Sequence, residues 1–262
     1  MKKLVFFLSV CISFSVFAQI EPNVKELKQI NPKHILMVGN SFMYYNDSMH
    51  KPLTNLIKSN KRLGKGHKLR SITINGSSLT WHDVDSYINN QNMGSFSITS
   101  SNEYKQRKRE PFDIAIMQDC SQCPVNEARR EKFHDVVDEH SKTLRKNKVE
   151  PVLMMTWAYK NVPSMIEGLA EEYLKAGNRN GILVIPVGLA FDEINRNYPS
   201  IDLYTSDKRH PSREGTYLAA CVIFASIFKE SPIGNAFLFG IERDIALNLQ
   251  KVAWETSLGF YN

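Results

Sequence analysis

Asp207 and His210 are separated by two residues in the stretch Ser206-Asp207-Lys208-Arg209-His210-Pro211-Ser212. Pro211 biases His210 away from helical backbone, so the imidazole is expected on extended chain. A carboxylate this near in sequence can accept the Nδ1 proton of a histidine and leave Nε2 free to take a proton from a hydroxyl. The hydroxyl best set for that proton is Ser41, which follows the apolar run His34 to Val38 and the pair Gly39-Asn40. The chemistry implied is nucleophilic: Ser41 attacks, His210 acts as base and Asp207 orients it. Each piece also has an ordinary explanation. A Gly-Asn-Ser turn can simply cap a helix, and a loop entering a helix often carries a surface Asp and His.

The elements around these residues decide between the two. His34 to Val38 is near-continuously apolar, as in a strand covered on both faces. It stops at Gly39-Asn40-Ser41, with a helix expected from about Ser48 to Asn60. Leu69 to Asn75 alternates like a second strand and ends at Gly76, a residue that can present its N–H to a neighbouring site. A helix is expected from about Leu79 to Ile88, then a polar insertion from Asn89 to Glu110 with a possible hairpin at Phe96 to Ile98. Phe112 to Met117 reads as the third strand and ends at Gln118-Asp119-Cys120-Ser121-Gln122. Asn126 to Lys146 is an amphipathic helix, whose His134 and His140 lack ligand spacing and are expected to face solvent. Pro151 to Thr156 and Gly181 to Val187 are the remaining strands, with helices at Pro163 to Lys175 and Leu189 to Arg196. Tyr217 to Phe228 is expected to be the last long helix.

Five strands alternating with helices predict an α/β fold with a doubly wound parallel sheet. In the flavodoxin-like order 2-1-3-4-5 the first strand lies between the second and third, so Ser41, Gly76 and Gln118 share one edge. That edge, at the carboxyl ends of the strands, is where ligands bind in open α/β sheets.

The 262 residues suffice for one sizeable domain, and no internal repeat or Gly/Ser-rich linker suggests a second. Residues 1–18 read as a secretory signal: Lys2 and Lys3 precede an apolar run from Leu4 to Phe17, and Val16-Phe17-Ala18 suits cleavage. The run of about 14 residues would span about 21 Å as a helix, short of the roughly 30 Å of a bilayer core. The expectation is an exported chain, periplasmic or extracellular, with a single domain over residues 19–262, its core starting near Lys33, and no stable membrane anchor. The formal charge falls from +6 to +4 when Lys2 and Lys3 leave. The basic clusters Lys58 to Arg70 and Lys105 to Arg109 come with no nucleic-acid motif, so a nucleic-acid partner is not expected. Of four cysteines, Cys120, Cys123 and Cys221 remain after the signal. Cys120-Ser121-Gln122-Cys123 has redox-motif spacing, but it follows the third strand instead of opening a helix after the first. A structural disulfide and buried thiols are both compatible with it.

Gly39-Asn40-Ser41-Phe42, Gly76, the Gln-rich end of the third strand, and Asp207-x-x-His210-Pro211-Ser212 with Gly215 together resemble the SGNH (GDSL-like) hydrolases, in a branch with a GNSF nucleophile motif. The resemblance runs over essentially the whole chain from about Lys33. It implies a three-layer α/β/α fold and a metal-free serine esterase, with Ser41, His210 and Asp207 catalytic and the N–H groups of Ser41 and Gly76 in the oxyanion hole. Asn40 stands where the GDS pattern has Asp. The family's Gly-x-Asn block is absent, so Gln118, or else Gln122, is expected to supply the amide donor. No Gly-x-Ser-x-Gly elbow occurs, which argues against the α/β-hydrolase fold. Tyr44, His82 and Trp157 are expected on the substrate side, with Tyr45, Trp81 and Tyr159 also following strand ends. Aromatic faces there favour an O-acylated glycan as substrate. A lipid ester, or a non-catalytic glycan-binding role, is the alternative. No cofactor is expected, and oligomeric state is open.

Overall fold

The computed structural model describes residues 20–90, 92–93 and 96–262. The expected signal segment lies outside the described residues, apart from which no helix is long and apolar enough to cross a membrane.

Five parallel strands form the central sheet: β1 (His34–Gly39), β2 (Lys68–Thr73), β5 (Ile114–Met117), β6 (Glu150–Met154) and β7 (Leu183–Ile185). Their order is β2-β1-β5-β6-β7. This is the expected 2-1-3-4-5 arrangement, because β3 (Phe96–Ile98) and β4 (Tyr104–Gln106) pair only with each other, as an antiparallel hairpin in the polar insertion. Alternation along each strand divides the core in two, since successive side chains point to opposite faces. Ile35, Met37, Ile116, Val152, Met154 and Ile185 pack on one side with α2 (His50–Ser59), α6 (Val187–Asn197), α7 (Arg213–Phe228) and α8 (Arg243–Tyr261). Leu36, Val38, Ala115, Met117, Leu153 and Val184 pack on the other with α3 (Val84–Asn89), α4 (Arg130–Lys146) and α5 (Met165–Asn180). Helices on both faces make three layers.

Several elements differ from the sequence reading. The chain turns helical at Ser41 itself, in the single turn α1 (Ser41–Tyr44), before α2. A 3-10 turn at Leu79–Trp81 precedes α3 where one helix was expected. His140 does not face solvent: it is buried and its Nε2 meets the Leu79 carbonyl at 3.1 Å. His134, on the same helix, meets Glu172 at 2.7 Å. Tyr217 to Phe228 is not the last long helix, because α8 follows and packs along α7. Covered by α2, α6 and α8, α7 is buried on every side from Gly215 to Phe228. It has no polar face because no side of it meets water. Its amino end is fixed by Ser212, whose hydroxyl accepts from Gly215 N–H at 3.1 Å, which holds the preceding loop, and with it His210, at the sheet's carboxyl edge.

Candidate active site

β1 delivers Ser41. Its last residue, Gly39, has no room for a side chain: an added Cβ would lie 2.5 Å from Gln118 Oε1 and 2.9 Å from Met43 Sδ. Asn40 caps the one-turn helix, its Oδ1 accepting the Phe42 N–H at 3.0 Å. Its amide donates to the carbonyls of Ser77 at 2.9 Å and Asp119 at 3.4 Å. One buried side chain therefore ties together the ends of β1, β2 and β5. The carboxylate of the GDS pattern could accept from Phe42 but could not, when ionised, donate to two carbonyls.

His210 arrives from the loop before α7. Its Nε2 lies 2.8 Å from Ser41 Oγ and its Nδ1 lies 2.5 Å from Asp207 Oδ2. Asp207 Oδ1 also accepts from the backbone N–H groups of Arg209 and His210 and from the Thr205 hydroxyl, each at 2.9 Å. Burial pushes the Asp207 carboxyl up, but the His210 ring, these N–H groups and the Thr205 hydroxyl outweigh it and hold the group well below the ordinary carboxylate range. Asp207 is thus an anion wherever the His210 ring needs an acceptor.

The loop is locked by contacts that sequence reading did not assign. Asn46, in left-handed backbone at φ 56°, donates to the carbonyls of Pro211 and Ser212 and to Thr216 Oγ1. It clamps the segment after Ser41 to the segment after His210. Its one sequence signal was an Asn among turn-forming residues, a type that tolerates left-handed backbone. Tyr45 stacks on the His210 ring at 4.3 Å, and Phe42 meets that ring edge-on at 5.4 Å.

An open groove enclosing about 450 Å³, solvent at its mouth included, is lined by Asn40, Ser41, Phe42, Gly76, Ser77, Cys120, Ser121, Tyr159, Arg209 and His210. Gly76 has a φ of 72°, a conformation that glycine adopts without strain. The adjoining turn is backed by His82, whose Nε2 meets Ser77 Oγ at 3.0 Å and whose Nδ1 meets Tyr87 OH at 3.2 Å. Burial, with the nearby His140, lowers the His82 pKa to about 4, so this brace is a neutral imidazole at neutral pH.

Three expectations are corrected. Gln118 does not face the groove: it is buried, its Oε1 accepts from Asn40 N–H at 3.2 Å, and its amide donates to the Asp119 carbonyl. Gln118 supports the nucleophile turn from below instead of donating above it, and Gln122 is exposed and outside the groove lining. Trp157 is fully buried, stacked between Phe42 at 4.7 Å and Phe191 at 4.3 Å. Its Nε1 donates to the Arg209 carbonyl at 3.0 Å, so it steadies the His210 loop. His82 is likewise buried behind the Ser77 turn. Tyr44 is exposed but lies outside the groove lining, where Tyr159 takes the aromatic position. Tyr159 OH lies 2.6 Å from Ser121 Oγ, and the Arg209 guanidinium sits 5.6 Å from the Tyr159 ring centre.

Cys120 and Cys123 form a disulfide and Cys221 is a buried free thiol. Asp119 with these two cysteines is the group of possible metal ligands found among the described residues, and the disulfide occupies both sulfurs.

The sheet order and the layers are a fold that solved SGNH/GDSL-like hydrolases share. No protein-family model matches the sequence, and no curated protein sequence matches it. Solved structures do share the fold. A DUF4886 family protein from Bacteroides uniformis is 20% identical over 86% of this chain and 94% of its own, with a TM-score of 0.59. A proposed SGNH hydrolase from Slackia heliotrinireducens is 23% identical over 74% of this chain and 97% of its own, with a TM-score of 0.53. The acetyl xylan esterase AlAXEase is 14% identical over 74% of this chain and 99% of its own, with a TM-score of 0.53.

Proposed function

We propose that this protein is an exported serine esterase that removes O-acyl groups, acetyl foremost, from a glycan. The observation that carries the reading is the unbroken chain from Ser41 Oγ through His210, at 2.8 Å, to Asp207, at 2.5 Å. In this reading Nε2 of His210 takes the Ser41 proton as Oγ attacks the ester carbonyl. The tetrahedral oxyanion is met by the N–H groups of Ser41 and Gly76. The imidazolium, held by anionic Asp207, returns the proton to the leaving alkoxide, and a water activated by the same nitrogen releases the acid. A small groove bordered by Tyr159 and Arg209 suits a short acyl group on a sugar, with the ring of Tyr159 against the saccharide.

With Gln118 buried, the proposed oxyanion hole has two backbone donors and no side-chain amide. The loss of one such donor costs about 10²- to 10³-fold in turnover elsewhere, so a modest kcat is expected. The test is hydrolysis of p-nitrophenyl acetate and of acetylated oligosaccharide by the wild type, Ser41→Ala and His210→Ala. Ester hydrolysis that disappears in both variants is expected, and equal rates in all three would reject the triad. Preference for long acyl chains over acetyl would replace the glycan with a lipid substrate.

A further inference from the structure

The ester reading leaves the groove's disulfide without a role. Cys120 lines the groove and is half-buried, whereas Cys123 lies behind it, 4% exposed. A carboxylate oxygen of Asp119 and the two sulfurs all lie within 4.8 Å of one another. Asp119 is only 1% exposed. Its Oδ1 is engaged by the N–H groups of Leu79 and Cys120, both at 2.7 Å, but its buried Oδ2 has no hydrogen-bond partner among the described residues. A buried carboxyl oxygen left unpartnered costs stability, and a partner that appears only during a reaction would account for it.

We propose that Cys120–Cys123 is a second reactive centre, a thiol-exchange site that opens into the same groove and takes a small dithiol as its reductant. The entering thiolate attacks Cys120 Sγ, the sulfur on the groove side, and forms a mixed disulfide as the bond to Cys123 breaks. The electron pair of that bond leaves on Cys123 Sγ, and the Asp119 carboxyl protonates it. The second thiolate of the reductant then attacks its own sulfur in the mixed disulfide, and Cys120 departs as a thiolate. Two electrons pass from the dithiol to the protein, and the dithiol leaves as a cyclic disulfide.

Two features favour this direction of attack. Cys120 lines the groove and Cys123 does not, and a leaving thiolate in a buried site needs a proton nearby. Asp119 can hold one up to about pH 6, since burial, opposed by the Leu79 and Cys120 N–H groups, raises its pKa to about 6.

The test is reduction of the folded, oxidised protein by dithiothreitol, followed by thiol titration, with Ser41→Ala run beside the wild type. Mixed disulfides trapped with glutathione and N-ethylmaleimide are mapped by mass spectrometry. Native-state reduction faster than global unfolding, glutathione on Cys120 and the maleimide on Cys123, and the same rate in Ser41→Ala are expected. Reduction only in denaturant, or glutathione on Cys123, would overturn the proposal. Asp119→Asn should slow native reduction by at least about tenfold, as for a lost general acid. An unchanged rate in folded Asp119→Asn would remove Asp119 from the step. Since thiols are counted and no ester is turned over, failure of this proposal is distinct from failure of the esterase reading.

Discussion

Asp119 makes the pH dependence of stability a sharp test of the site's construction. Its folded-state pKa is raised to about 6 from an ordinary 3.8, with burial the main cause. The sign follows from proton binding: between about pH 4 and 6 the native state holds a proton that the unfolded chain has released, so unfolding free energy falls as pH rises through that window and stays low above it. At about 1.4 kcal/mol per tenfold in proton affinity, the gap corresponds to about 3 kcal/mol. Asp119→Asn keeps an oxygen for the Leu79 and Cys120 N–H groups and removes the charge. Its new amide hydrogens replace an unpartnered Oδ2, a cost of about 1–3 kcal/mol that does not vary with pH. Urea unfolding of wild type and variant from pH 4 to 8 separates the two contributions, because other titrating groups cancel in the difference. The wild type should lose about 2 kcal/mol relative to the variant between pH 4 and 7, the rest of the gap lying below pH 4. Curves that stay parallel across this range would refute the claim that Asp119 is a buried carboxylate held against its solvation.

Asp207→Asn should retain the backbone contacts at Oδ1 but turn the His210 tautomer so that Nε2 carries a proton, lowering kcat by about 10³- to 10⁴-fold; an ester-hydrolysis rate within tenfold of wild type would show that Asp207 does not set the ring. Trp157→Ala should cost about 3–5 kcal/mol of stability, because a fully buried stacked ring is lost. A higher KM for acetylated saccharide at unchanged melting temperature would instead return Trp157 to the substrate side. Gly39→Ala should push the Gln118 amide off Asn40 N–H and cost about 1–3 kcal/mol, read by denaturant titration; an unaltered midpoint would mean that the turn has slack.

The sequence by itself determined the strands and the polar residues that follow them. Apolar runs such as Ile35 to Val38 and Ile114 to Met117 mark strands covered on both faces, and with the order 2-1-3-4-5, which the sheet adopts, their ends converge. Asp207 and His210 are legible together because they are three positions apart, near enough that the loop's own backbone brings them into contact. Direction of side chains was not legible. Gln118 and Trp157 both follow strand ends, yet one turns beneath Asn40 and the other slides between Phe42 and Phe191. Nor could the chain announce the clamp from Asn46 to Pro211, Ser212 and Thr216, whose partners are more than 160 positions away. Strand periodicity is a local property that each residue carries in its own hydropathy, while burial, stacking and a third hydrogen bond depend on which distant atoms fill the space. Only the packed tertiary structure decides those.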